Sequence, residues 1–219
     1  MKTGIKQFFW KIADFLSVPY EERKLLNIIA GQDGRLYEVY QHPIGRLVTP
    51  VQKLNELDPI CPGFQLSLPK IPGTLLEMSI TFFRAYCFEE QQYEVMVEFY
   101  WDKADKRYSI HVPKQLVSKT SIYAESEIRY DERYIQVLQL HSHNTMKAYF
   151  SSIDNQDEVA FGLYGVVGEL NKVKPDVLLR VGRSGRYVYL PVEYVFEKAD
   201  LTRKVPFPSE WHESIVIQS

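Results

Sequence analysis

The chain has 219 residues, enough for one full domain with a smaller appendage or for two small domains. With 45% hydrophobic and 25% charged residues it reads as a folded protein rather than a disordered one, and its net charge of -2 supplies no overall basic field to hold a nucleic-acid backbone. Two cysteines, Cys61 and Cys87, are too few for a disulfide scaffold or a thiolate zinc knuckle, and they read as buried thiols in a reducing compartment.

At the N-terminus Lys11 and Asp14 interrupt what would be the apolar core of a secretory signal, and no window reaches the ~18 uninterrupted apolar residues of a membrane span. A soluble, cytoplasmic protein with no membrane partner is expected. Ile5, Phe8, Phe9, Ile12, Phe15 and Leu16 recur at helical spacing, which predicts a helix with one apolar stripe. A second helix is predicted from Glu21 to Ala30, ending at Gly31, followed by short strands over 36–40 and 46–51 around the turn signal His42-Pro43-Ile44-Gly45.

Pro59, Pro62, Pro69 and Pro72 mark a linker or boundary. This gives an α+β N-terminal region over 1–72, a main domain over 73–197 and a loosely packed tail over 198–219. The main domain opens with an uninterrupted apolar segment that predicts a buried helix over 73–90. Alternation of Val95, Val97, Phe99 and Trp101 against Glu94, Met96, Glu98 and Tyr100 predicts a strand over 93–101, paired as a hairpin with 107–112. Residues 118–133 are polar and aperiodic, a surface insertion. A strand over 134–143 follows, then β-rich segments at 161–170, 177–182 and 187–196.

The chemistry concentrates in His141-Ser142-His143, seven further residues, and Ser151-Ser152-Ile153-Asp154. Side chains two apart on a strand share a face, so the imidazoles converge, and Ser151 and Asp154 share a face if a helix starts near Ser151. Two histidines and one carboxylate form a three-ligand site for zinc that leaves a fourth position for water, the pattern of a catalytic ion. Ser151 is then placed to hydrogen-bond a developing oxyanion, and a general base must come from elsewhere, with Glu94 and Glu98 on one face of the hairpin strand. Only 76 residues follow His143, too few for a TIM-barrel hydrolase, and the cupin pattern lacks its next Glu and third His. Asp157 and Glu158 are candidates to accept hydrogen bonds from the ligating histidines or to form a solvated acidic turn, and Arg180, Arg183 and Arg186 read as a charged β-turn or an anion-binding rim. His111 reads as a partly buried strand residue.

The segment HSHNTMKAYFSSID resembles the H-x-H-x(7)-S-x(2)-D signature of the JAMM (JAB/MPN+) zinc metalloprotease family, with Asn144 where the family commonly has proline. The resemblance covers about residues 73–197. It implies an α/β (α+β) domain, a cytidine-deaminase-like mixed sheet flanked by helices. It further implies one Zn²⁺ per chain on His141, His143 and Asp154, with Ser151 stabilising the tetrahedral intermediate. The family's upstream glutamate matches Glu94 best, with Glu98 and Glu90 as alternatives, because VMVEFYW lacks the small glycine-containing run that usually follows it. The implied activity is hydrolysis of an amide or isopeptide bond in a protein or peptide substrate, for instance at the tail of a ubiquitin-like or small carrier protein. The downstream segments also look like a bacterial branch of the PRTRC system protein A type. Two other readings stand beside this one, a non-catalytic MPN-type scaffold and a DNA-linked, RadC-like role.

Overall fold

A computed structural model describes residues 6–55, 57–88, 92–124 and 132–218. Ile5, Glu90, residues 125–131 of the expected insertion and the terminal Ser219 lie outside them. The protein is a mixed α+β chain that divides into two compact units, Met1–Cys61 and Pro62–Ser219.

In the smaller unit, β1 (Lys6–Phe9), the helix α1 (Ile12–Ser17), β2 (Leu26–Ala30), β3 (Leu36–His42) and β4 (Gly45–Pro50) form one four-stranded sheet in the order β1-β2-β3-β4 with one short helix. This corrects two helices expected from sequence. The stripe through Phe8 and Phe9 is split, because β1 pairs in parallel with β2 and only the part from Ile12 is helical. Residues 21–30 hold a single 3-10 turn and then β2, where the β-branched pair Ile28 and Ile29 suits a pleated surface better than a helix. In both cases strand pairing overrides a local period of 3.6. Phe15 of α1 closes a small core with Ile29 and Val39, and its ring meets Phe9 edge-on at 5.6 Å.

The larger unit contains α2 (Gly73–Arg84), β5 (Met96–Asp102), β6 (Arg107–His111), β7 (Gln115–Val117), β8 (Ile122–Ala124), β9 (Tyr134–Ser142), α3 (Ser152–Asp157), β10 (Gly162–Gly168), β11 (Asp176–Arg183), β12 (Arg186–Leu190), α4 (Val192–Val195) and β13 (Ile215–Ile217). Its main sheet runs β12-β11-β10-β9-β5-β6, and a smaller one runs β13-β7-β8. All neighbours in the main sheet are antiparallel except β9 and β10, which are parallel, so the chain between them must cross over. That crossover carries α3.

The alternation expected along 93–101 sorts the sheet into two faces. Val97 opposite Leu140 and Phe99 opposite Leu138 point into the core, which α2 closes with Leu76, Ile80 and Phe83. Met96 opposite His141 and Glu98 opposite Gln139 point the other way. Helix α2 ends at Arg84, not at 90, since the chain turns at Ala85 and Cys87 bridges to Gln92. The strand expected over 187–196 stops at Leu190, because Pro191 has no N–H for the ladder and instead starts α4. Cys61 is exposed and Cys87 half-buried, so neither is the fully buried thiol expected. Residues 62–72, grouped by sequence with the N-terminal region, lend Phe64, Leu66, Leu68 and Ile71 to the core of the larger unit.

The tail is packed rather than loose. Trp211, 9% exposed, stacks on Phe207 and meets Phe82 edge-on at 5.2 Å, while β13 pairs in parallel with β7. No described helix is long and apolar enough to cross a membrane. Removing a buried indole costs about 3–5 kcal/mol, so Trp211→Ala is expected to destabilise the protein by that order, measurable by chemical denaturation.

Candidate metal centre

His141 stands at the C-terminal end of β9 and His143 just past it. Their positions are fixed by the backbone. The Ser142 N–H donates to Val95 O, the Val95 N–H donates to Ser142 Oγ, and the His143 N–H donates to Val167 O. Asn144 then turns the chain with φ 48°. This left-handed conformation suits asparagine and is closed to proline, whose ring holds φ near -65°. The following loop lies directly on β10: the Glu169 N–H donates to Met146 O and the Leu170 N–H to Asn144 O. At Gly168 a Cβ would come within 2.5 Å of the backbone of Met146, Lys147 and Ala148, so only glycine admits the loop.

The loop delivers Ser151 to the N-cap of α3, where Ser151 and Asp154 form a capping box. The Asp154 N–H donates to Ser151 Oγ at 3.2 Å, and the Ser151 N–H donates to Asp154 Oδ2 at 2.6 Å. One carboxylate oxygen is thereby spent on the cap while Oδ1 is turned to the histidines, 3.4 Å from His141 Nε2. His141 Nε2 and His143 Nε2 are 3.2 Å apart. Ligand atoms bound tetrahedrally at 2.0–2.1 Å are separated by about 3.3 Å, so these two spacings match those of ligands to one ion, and all three ligand atoms lie within 4.8 Å of one another. The His141, His143 and Asp154 group can hold a metal ion. Burial holds both histidines below their ordinary pKa against the opposing pull of Asp154, which keeps their lone pairs available at neutral pH. His143 meets the ring of Tyr149 edge to face, and its Nδ1 has no hydrogen-bond partner among the described residues.

Glu94 is 5% exposed and accepts no hydrogen bond among the described residues. Burial, reinforced by the charge of Asp154, pushes its carboxyl up to about 8. A cation held by the histidines would pull it down again. Glu98 has a different setting, two residues further from His141 along the sheet, where Tyr100, Gln136 and Gln139 all donate to its carboxylate. Glu90 is not among the described residues.

Glu158 and Asp157 bond neither histidine. Asp157 is exposed, and Glu158 faces Arg180, whose Nε donates to Oε2 at 2.7 Å with Nη2 at 2.6 Å from the same oxygen. Arg180 is the residue that sequence reading missed. Rather than lining a turn with Arg183 and Arg186, it is 2% exposed, with its guanidinium 3.6 Å from the Phe150 ring centre and 3.8 Å from that of Tyr187. Tyr187 also donates its hydroxyl to Asn155 O. The loop before Ser151, the helix carrying Asp154 and the β11–β12 hairpin thus close on one cation. The available signal was an arginine inside the apolar strand segment VLLRVG, which demands an internal partner.

Comparison of the chain with protein-family models and with curated proteins finds no match.

Two outcomes are expected. Arg180→Ala leaves Glu158 buried without its counter-charge and should cost about 3–5 kcal/mol, read from urea denaturation, with weaker metal retention as Asp154 loosens. In the metal-free protein, the folded chain holds a proton on Glu94 that the unfolded chain releases above about pH 4.3. Stability from this group therefore falls as pH rises until the folded carboxyl ionises near 8. Glu94→Gln should match wild type near pH 5 and exceed it in melting temperature at pH 9.

Proposed function

We propose that the protein is a zinc-dependent metallopeptidase that hydrolyses an amide or isopeptide bond in a protein or peptide substrate. The observation that carries the reading is the division of labour at Asp154, one oxygen in the cap and the other within 4.8 Å of the ring nitrogens of two histidines. The JAMM resemblance of His141, His143, Ser151 and Asp154 supports the same reading, and the mixed α+β fold is compatible with it. Asn144 departs from the family's proline, and its left-handed backbone supplies the turn by other means.

His141, His143 and Asp154 would hold the ion. Zinc bound there supplies a Lewis acid and a water acidified toward neutral pH. Glu94, buried within the field of Asp154 and accepting no hydrogen bond among the described residues, takes a proton from the attacking water and returns it to the leaving amine. The Ser151 hydroxyl accepts from Asp154 but donates to no described residue, so its proton is available for the oxyanion. Glu98, already engaged by three donors, is the poorer base.

The test is metal content per chain by elemental mass spectrometry, beside turnover of a ubiquitin-like fusion. Wild type and Glu94→Ala are expected to carry about one zinc and His143→Ala none, with turnover of Glu94→Ala lower by about 10²–10⁴-fold. Absence of zinc from all three after reconstitution would end the peptidase reading and leave the non-catalytic scaffold.

A further inference from the structure

Beside His141 lies a groove of about 460 Å³, bounded by β8 on one side and by Ser151 and the exposed face of α3 on the other. Its floor includes Met96, Glu98 and Gln139. Glu98 is 7% exposed, and its position is unusual in the larger unit. Among the described residues, every other buried carboxylate there has a positive group or the candidate ion site to answer it: Glu77 has Arg203, Asp102 has Arg133, Glu158 has Arg180, and Glu94 feels the charge of Asp154 in the candidate ion site. Among the described residues, Glu98 has only neutral donors. Oε1 accepts from Gln136 Nε2 at 2.7 Å and Gln139 Nε2 at 3.3 Å, and Oε2 accepts from Tyr100 Oη at 2.9 Å. His111 stands opposite it on β6 without forming an ion pair. A carboxylate offers about four acceptor positions, so one on Oε2 remains open. None of the described residues lining the groove is lysine or arginine.

Buried charge is normally paired, and a carboxylate oriented by neutral donors at the floor of an open groove has the form of a receptor whose cation arrives with the ligand. We propose that Glu98 is a specificity-determining residue that binds a lysine or arginine side chain of the polypeptide lying across the metal centre. The inference rests on the peptidase reading for the ligand being a polypeptide. Glu98 is two strand positions from the residue opposite His141, about 7 Å along the sheet. That spacing places the recognised side chain within two residues of the bond to be cut. The three donors hold the carboxylate in place before the ligand arrives, so little ordering is required on binding.

The probes are blocked glycine pentapeptides with arginine walked through each position, and their norleucine counterparts, titrated into the zinc-loaded full chain and followed by the amide resonances of Met96 and Gln139. The best arginine peptide is expected to bind at least about tenfold more tightly than its norleucine partner at low salt. Glu98→Gln should reduce the preference to less than twofold. Gln139→Lys, which sets an ammonium opposite Glu98 without altering it, should do the same and serves if Glu98→Gln does not fold. Wild type with less than twofold preference, or without measurable binding of any arginine peptide, overturns the proposal, as does a preference that survives both substitutions. Binding is read without turnover, so missing hydrolysis counts against the peptidase reading and not against this one.

Discussion

A guanidinium buried between two aromatic rings ties together the segments that carry the candidate metal centre. Arg180 belongs to β11, Phe150 to the loop after the histidines, Glu158 to the end of α3 and Tyr187 to β12; the hairpin pairs with itself, and Arg180 is where the loop, the helix end and the hairpin all meet. Helix α3 has only six residues, too short to persist through its own hydrogen bonds. Its capping box supplies one local constraint at the start, and the Glu158 pair supplies a tertiary one at the end. Asp154 sits between the two. The position of Asp154 is therefore fixed from a strand on the far side of the crossover, at the cost of desolvating an ion pair that stacking on both faces of the guanidinium helps to offset.

The main sheet adds a second constraint through its mixed direction. Parallel pairing of β9 and β10 obliges the chain to leave the sheet at His143 and return beside the strand it left. Histidines from a strand end and Asp154 from a crossover helix meet above the carboxyl ends of parallel strands, where open α/β sheets commonly place their sites. Glycine at 168 and a left-handed Asn144 let the crossover begin as a tight turn against β10.

Much of the site was legible because its chemistry is local. His-x-His on a strand and Ser-x-x-Asp at a helix start are short-range patterns, and their geometry follows from strand and helix periods alone. The hairpin of β5 and β6 was readable for the same reason, from strict alternation and a polar turn. The failures lie where long-range pairing decides. Residues 6–9 and 26–30 have helical spacing of apolar residues, but each finds a partner strand, and pairing outweighs a propensity worth fractions of a kcal/mol per residue. The C-terminal segment looked loose because its prolines are visible locally, whereas its contacts with Phe82 and β7 join residues more than ninety positions apart. Arg180 escaped for a related reason, since neither the glutamate nor the two rings around it adjoin it in sequence.

Strand β8, one wall of the groove, pairs with β7, and the other edge of β7 is taken by β13. On a ribosome, the strands bearing His141 and Glu94's sheet neighbours have long emerged when residues 215–217 are still being added. Until β13 docks, β7 and β8 are a two-stranded ribbon, which is marginal in water by itself. The wall that would confine a ligand is thus completed by the tail and not by strands next to it in sequence.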